Sequence, residues 1–215
     1  LSGGIDVASN PTYGKSDGVN SEQGQGDDIL YDIQNIIGSN SGKDTIYGSD
    51  IANVISSQSK DDTIEARDGN DTVDAGADND LIIATSVDDG VDYYDGGTGS
   101  DTLDYSNLTS SQTIDVDLSA TATNKFAGTT GANDAWEVTI TGTDAQNDII
   151  KRIENIIGGA GADKIFADAH DNEIQGGAGS DTLSGNDGLD SIYGYKKGVS
   201  ETTTVNDTVS YEYLT

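Results

Sequence analysis

The chain has no cysteine and no methionine, one proline, and a single histidine, His170, among its 215 residues. Without cysteine it can form neither disulfide bonds nor thiolate metal sites. One histidine is too few for a histidine zinc cluster, and no nucleophile and base can be matched, so we expect no enzymatic activity. Because methionine is absent, we also expect the chain to be a fragment of a longer protein.

Basic residues are also scarce, with 10 Lys and Arg against 39 Asp and Glu and a formal net charge of -29. This balance disfavours nucleic acid as a partner, because neutralising phosphates requires a basic patch. The sequence contains no run of about twenty apolar residues and no recognisable leader, so it predicts neither a membrane span nor a signal peptide. A compact fold must overcome strong self-repulsion, which bound cations would relieve.

Roughly half of the chain follows a nine-residue repeat, with contiguous frames at 39–83, 87–104 and 158–193 and an expanded frame near 207. The sixth position of each frame is Asp or Asn: Asp44, Asn53, Asp62, Asp71, Asp80, Asp92, Asp101, Asp163, Asn172, Asp181, Asp190 and Asp207. The eighth position is apolar or aromatic: Ile46, Ile55, Ile64, Val73, Ile82, Tyr94, Leu103, Ile165, Ile174, Leu183, Ile192 and Val209.

Each frame predicts a tight turn followed by a very short strand. Glycine at the first, second and fourth positions permits backbone angles that other residues avoid, so six residues can make the turn. In the three-residue strand the central side chain, such as Ile165, faces inward while its neighbours stay in solvent. Two frames then make one coil of about eighteen residues, so the sequence predicts that strands of alternate frames pair.

Three frames match the full pattern Gly-Gly-x-Gly-x-Asp-x-apolar-x, beginning at Gly96, Gly158 and Gly176. This pattern resembles the repeats-in-toxin (RTX) family of secreted bacterial proteins, whose repeat binds calcium. The resemblance implies a parallel β-roll with calcium ions between stacked turns. The expected fold is therefore all-β: β-roll (β-solenoid) blocks with bridging or capping strands and long loops.

Calcium takes about six to eight oxygen ligands, a mixture that facing turns of Asp and Gly supply. The resemblance implies that the sixth-position residues are ligands, with Asp44, Asp62, Asp80 and Asp101 on one edge and Asn53, Asp71 and Asp92 on the other. In the second block Asp163 should lie beside Asp181 and Asn172 beside Asp190, with Asp207 displaced by an insertion. The turn glycines assigned to the sites are Gly69, Gly97, Gly99, Gly159, Gly161, Gly177, Gly179 and Gly188.

Some turns depart from the pattern. The turns that end at Asn53 and Asn172 lack glycine at position four, so their sites should be weak or empty. The turn that ends at Asp62 has no glycine at all. Third-position Asp68 and Asp187 either reach the same ions or are solvated.

The repeats divide the chain into four predicted segments: a capping or loop segment 1–38, a first roll 39–104, bridging strands and loops 105–157, and a second roll with a C-terminal cap 158–215. Residues 113–118 and 136–141 alternate apolar and polar residues, which predicts strands. Residues 14–26 and 121–134 should be surface loops. The sequence 32–38 reappears at 152–158 and 101–109 at 207–215, so two large units follow each other.

The sequence favours a non-catalytic calcium-binding structural module of a large secreted adhesin. The alternative is the C-terminal calcium-binding roll of a secreted protease, lipase or alginate epimerase. An epimerase roll should show basic residues along one strand face, whereas Lys43, Lys60, Arg67, Lys151, Lys164 and Lys196 share no position in the repeat. Ice binding would need a regular file of Thr or Asn at one outward position of consecutive turns, and the third position of the frames provides none.

The resemblance also implies a location and partners. RTX proteins leave Gram-negative cells unfolded through the type I secretion machinery, so we expect the chain outside the cell or at the bacterial surface. With 33% hydrophobic residues and 28 glycines, the calcium-free chain should be largely disordered. Other parts of the parent protein would bind any host-cell or surface ligand.

Overall fold

The computed structural model describes residues 4–8, 28–31, 33–84, 90–118, 135–142, 147–195 and 206–210, and every regular element in these ranges is a β-strand. The all-β prediction is therefore confirmed. The strands are β1 (Gly4–Ala8), β2 (Asp28–Tyr31), β3 (Asn35–Ile37), β4 (Thr45–Tyr47), β5 (Val54–Ser56), β6 (Thr63–Glu65), β7 (Thr72–Asp74), β8 (Leu81–Ile83), β9 (Tyr93–Asp95), β10 (Thr102–Asp104), β11 (Thr113–Asp117), β12 (Ala135–Thr141), β13 (Asp148–Lys151), β14 (Asn155–Ile157), β15 (Lys164–Phe166), β16 (Glu173–Gln175), β17 (Thr182–Ser184), β18 (Ser191–Tyr193) and β19 (Thr208–Val209). The predicted loops 14–26 and 121–134 lie outside the described residues.

The strands form two sheets wound as a parallel solenoid. One sheet has the order β18-β16-β14-β10-β8-β6-β4-β1-β2 and the other β19-β17-β15-β11-β12-β13-β9-β7-β5-β3. From β3 to β10 successive strands alternate between the sheets, so two frames make one coil. Thr45 pairs with Thr63, a step of eighteen residues, and Thr72 pairs with Tyr93, a step of twenty-one, because three residues are inserted between these frames. The predicted β-roll with paired alternate frames is confirmed.

The core is built mainly from one inward side chain per three-residue strand. In every three-residue strand except β18 the central residue is buried while at least one neighbour is more exposed, as the alternation of a strand requires. Ile46, Ile64 and Ile82 stack in one sheet and face Ile55 and Val73 of the other. At the C-terminal end Ile192 is only partly buried and Val209 is 43% exposed, because β18 and β19 are the last strands of their sheets.

The two blocks of frames join differently in the two sheets. In the nine-stranded sheet β10 pairs directly with β14, so the sheet continues across the segment between them. In the ten-stranded sheet β11, β12 and β13 are inserted between β15 and β9, and β12 is antiparallel to both of its neighbours. The segments predicted as bridging strands thus lie within one sheet of the roll. None of the residues that the structure describes form a helix able to cross a membrane.

Stacked turns approach so closely that some positions have no room for a side chain. A Cβ added to Gly97 would lie 2.0 Å from the carbonyl oxygen of Gly76 in the adjacent turn, and Gly97 has φ +100°. In the turn without glycine, Gln58 and Lys60 adopt φ 83° and 94° despite their side chains. That turn therefore keeps the repeat's backbone conformation at the cost of strain.

This strain predicts that Gln58→Gly gives a more stable protein than Gln58→Ala. Both substitutions remove the 2.7 Å hydrogen bond from Gln58 Nε2 to Ser56 Oγ, but only alanine keeps the Cβ that disfavours positive φ. The difference in the free energy of unfolding should be roughly 0.5–1 kcal/mol, since relief of strain exceeds the entropy that glycine gains on unfolding. Urea unfolding at saturating calcium measures it, and an alanine variant as stable as the glycine variant would contradict the strain.

Candidate metal centre

The sixth-position residues form ladders along the two edges of the roll. We call the turns that lead into the nine-stranded sheet the first edge, and those that lead into the ten-stranded sheet the second edge. On the first edge the backbone N–H of Asp44 donates to Oδ1 of Asp62 at 2.7 Å, Asp62 to Asp80 at 2.7 Å, and Asp80 to Asp101 at 2.9 Å. The Asp44 carbonyl accepts from the N–H of Thr63 at 2.9 Å, so backbone and side chain together join neighbouring coils.

The second edge has the same arrangement. The N–H of Asn53 donates to Asp71 at 2.7 Å and that of Asp71 to Asp92 at 2.8 Å. In the second block, the backbone N–H of Asp163 donates to Oδ1 of Asp181 at 2.9 Å on the second edge. The backbone N–H of Asn172 donates to Oδ1 of Asp190 at 3.0 Å on the first edge. The neighbours expected from the repeat are therefore brought together.

Asp207 continues the ladder of Asp163 and Asp181 despite the insertion that precedes it. The N–H of Asp181 donates to Oδ1 of Asp207 at 3.0 Å, although the two residues are 26 positions apart. Asp207 is exposed, unlike Asp181, because its strand ends the sheet. The insertion lengthens the turn but leaves the pairing unchanged.

Two acidic members of the ladders were missed by the sequence analysis. Oε2 of Glu154 accepts from the N–H of Asp101 at 2.9 Å, and Oδ1 of Asp148 accepts from the N–H of Asp92 at 3.1 Å. Both residues stand two positions before an inward isoleucine, Ile156 and Ile150, which is the spacing of the repeat. That spacing was the available signal, but neither residue lies in a glycine-rich frame.

Two carboxylates of the first edge, those of Asp80 and Asp101, are buried and incompletely satisfied. Asp80 is 2% exposed and Asp101 is fully buried, and Oδ2 of each has no hydrogen-bond partner. An ionised oxygen buried without a partner is strongly destabilising, whereas a cation beside it removes the penalty. These oxygens therefore fit a bound cation, and hard oxygen donors suit calcium.

Burial also changes the protonation of these groups. Desolvation raises the pKa of Asp80 to about 7 and the pKa of both Asp92 and Asp101 to about 6. The pKa values of Asp163 and Glu154 are raised for the same first reason. Without a cation, these carboxylates of the folded chain thus keep a proton up to a higher pH than free carboxylates do.

Side chains alone do not complete a calcium site. Within the described ranges no three His, Cys, Asp or Glu side chains are grouped closely enough to hold a metal ion. Calcium between the turns would therefore take backbone carbonyl oxygens as further ligands, as the glycine-rich turns allow. Among the third-position residues Asp68 is half-buried and Asp187 is exposed, and their role as ligands stays a prediction.

The turn glycines fall into two groups. Gly69, Gly97 and Gly99 have positive φ, as do three glycines of the second block: Gly177, Gly179 and Gly188. Gly159 and Gly161 lie outside that region, yet a Cβ on either would clash with atoms of a neighbouring segment. The turns are thus shaped by φ at some positions and by close approach at others.

Parallel coils with a carboxylate or carboxamide at almost every turn define a β-roll of the calcium-binding type. A family model described as the RTX calcium-binding nonapeptide repeat (4 copies) matches residues 47–82, 152–183 and 166–196. The chain therefore carries RTX repeats, and it is a calcium-binding structural module. Comparison with curated proteins gives no match.

Removing one ladder carboxylate should weaken calcium-dependent folding. Asp181→Ala deletes the acceptor of the Asp163 N–H and a predicted ligand, so the calcium concentration at the folding midpoint should rise several-fold. His170→Ala is the matched control, because the side chain of His170 is 79% exposed and pairs with Asp168 of its own turn. Circular dichroism during a calcium titration measures both midpoints, and equal shifts would contradict the ladder.

The raised pKa values predict how the calcium-free chain responds to acid. Between about pH 4 and pH 7 the folded state binds more protons than the unfolded state, because the pKa values of these carboxyls are raised in the folded state. The stability that these protons contribute is fully present at the acid end of this range. It is lost as the pH rises through the pKa values of the folded state. Calcium-stripped protein should therefore show more β structure at about pH 5 than at about pH 7.5. Light scattering controls for association near the isoelectric point, and a β signal that grows with pH would be the opposite result.

Proposed function

We propose that the chain is a non-catalytic module of a secreted bacterial adhesin that folds outside the cell when it binds calcium. The observation that carries this proposal is the stack of buried carboxylates on the first edge, where Asp80 and Asp101 each hold an oxygen without a partner. A chain of net charge -29 cannot bury such groups favourably without cations. Calcium is therefore expected to act as a folding ligand.

The difference in calcium concentration between the inside and the outside of the cell determines where calcium binding can fold the chain. Extracellular calcium modules typically bind at about 10⁻⁴–10⁻³ M, well above free calcium in the cytosol. Each site stabilises the folded state by RT ln(1 + [L]/Kd), so several weak sites produce a steep transition. Proteins with RTX repeats are typically secreted, and the unfolded chain suits export through the type I machinery.

The continuity of the roll supports an adhesin. Asn35–Ile37 and Asn155–Ile157 are equivalent in the sequence repeat, but the first lies in the ten-stranded sheet and the second in the nine-stranded sheet. Strand β10 pairs directly with β14, so the roll continues from one unit into the next. Successive units thus extend one roll, at about 4.8 Å per coil. A protein with many such units would form a long, calcium-rigidified rod that could present binding parts away from the cell surface.

The pairing of basic residues argues against a roll that holds a polyanionic sugar. Lys43 contacts Asp61 at 2.6 Å, Lys60 contacts Asp78 at 3.2 Å, and Arg152 contacts Asp95 at 2.6 Å. These cations neutralise the chain's own acids instead of lining one strand face. A roll of another secreted enzyme remains the alternative, and the neighbouring sequence distinguishes it, since further repeats support the adhesin and a catalytic domain supports the enzyme.

Calcium withdrawal is expected to unfold the module. Far-ultraviolet circular dichroism should change from coil in chelator to β structure as calcium rises to about 10⁻³ M, because the ions offset the buried charge. Magnesium at the same concentration is the control and should not replace calcium, because it demands a tighter octahedral site and gives up its water reluctantly. A folded spectrum in excess chelator would contradict calcium-dependent folding.

A further inference from the structure

The sixth-position residues differ from turn to turn in how their second side-chain atom is satisfied. On the first edge, Oδ2 of Asp80 and Asp101 is buried with no hydrogen-bond partner. On the second edge, the Tyr94 hydroxyl donates to Oδ2 of Asp92 at 2.6 Å. Both side chains of that pair are 1% exposed, so water does not compete with this contact.

Two further positions of the second edge are also satisfied by protein donors. The Tyr105 hydroxyl donates to Oδ2 of Asp148 at 2.9 Å. At Asn53, Oδ1 accepts from the backbone N–H of Ser49 at 2.7 Å, and Nδ2 donates to the Ile33 carbonyl at 3.1 Å. A carboxamide carries no charge, so this buried group needs no counter-ion.

The backbone conformation of the turns explains part of the difference. In the turn that ends at Asn53 the second residue, Ser49, does not have positive φ, and its N–H reaches the sixth-position oxygen. In the turns that end at Asp80 and Asp101 the second residues are Gly76 and Gly97, both with φ +100°. No donor reaches Oδ2 of either aspartate there. The Asp80 and Asp101 turns therefore lack the backbone donor that closes the Asn53 turn.

We propose that calcium binds at the Asp80 and Asp101 positions of the first edge and not at the Asn53, Asp92 and Asp148 positions of the second edge, which are closed by protein donors. This inference rests on the calcium-dependent folding proposed above. At Asp92, an ion would have to displace a charge-assisted hydrogen bond from a core tyrosine. At Asp80 and Asp101, an ion would contact Oδ2, which has no hydrogen-bond partner to displace. Asp92 and Asn53, assigned as ligands from the repeat, are thereby reassigned to metal-free contacts.

The matched variants Asp80→Asn and Asp92→Asn test the assignment. Both residues are buried, and Oδ1 of each accepts a hydrogen bond from a backbone N–H of the preceding coil. Asparagine keeps an oxygen acceptor and the shape of the side chain. Native mass spectrometry counts the ions bound at saturating calcium, and circular dichroism gives the folding midpoint. Asp80→Asn should bind at least one ion fewer than the unsubstituted chain and need several-fold more calcium to fold, whereas Asp92→Asn should keep the ion count.

The outcomes separate the inference from the proposed function. Loss of an ion in Asp92→Asn, or an unchanged count in Asp80→Asn, overturns the assignment while calcium-dependent folding stands. A chain that binds no calcium before substitution overturns the proposed function itself. Should Asp80→Asn fail to fold at saturating calcium, Asp101→Asn replaces it, because its Oδ2 is equally buried and without a partner.

Discussion

The fold depends on the contact between a sixth-position carboxylate and the coil before it. One oxygen of Asp80 accepts the backbone N–H of Asp62, while the other is buried without a partner. Each three-residue strand contributes one core side chain, such as Ile82, so the apolar core is a thin column. A column of this width gives limited hydrophobic stabilisation against the repulsion of 39 acidic residues, and cations bound at the carboxylates would supply the stabilisation that it lacks.

The same contact fixes the geometry of the turns. Because the side chain of Asp101 reaches the preceding turn, the backbones of neighbouring turns lie so close that a Cβ on Gly97 or Gly99 would meet a carbonyl oxygen at 2.0 Å. Glycine is therefore needed for packing as well as for positive φ. Where Gln58 and Lys60 take such positions, the ladder continues through Asp62, so the stack imposes the turn conformation on residues that disfavour it.

The sequence predicts features that the repeat itself determines. The inward residue of each strand and the pairing of alternate frames follow from a period of nine and a coil of two frames. The insertion of β11, β12 and β13 into one sheet does not follow, because it depends on pairing between distant segments, such as Tyr93 with Ile149. The hydroxyl of Tyr94 was also missed: the repeat identifies Tyr94 as an inward apolar residue, and only the fold shows that its hydroxyl reaches Asp92.

The two large units occupy the roll half a coil out of phase. The sequence that begins at Asp101 reappears at Asp207, and the strands that follow these residues, β10 and β19, lie in different sheets. The step from Asp80 to Asp101 on the first edge therefore corresponds to the step from Asp181 to Asp207 on the second, and both pairs share the N–H to Oδ1 contact. Cations that follow the sequence would thus change edges between units. Alternation of this kind would distribute the bound charge around a longer roll instead of concentrating it along one side.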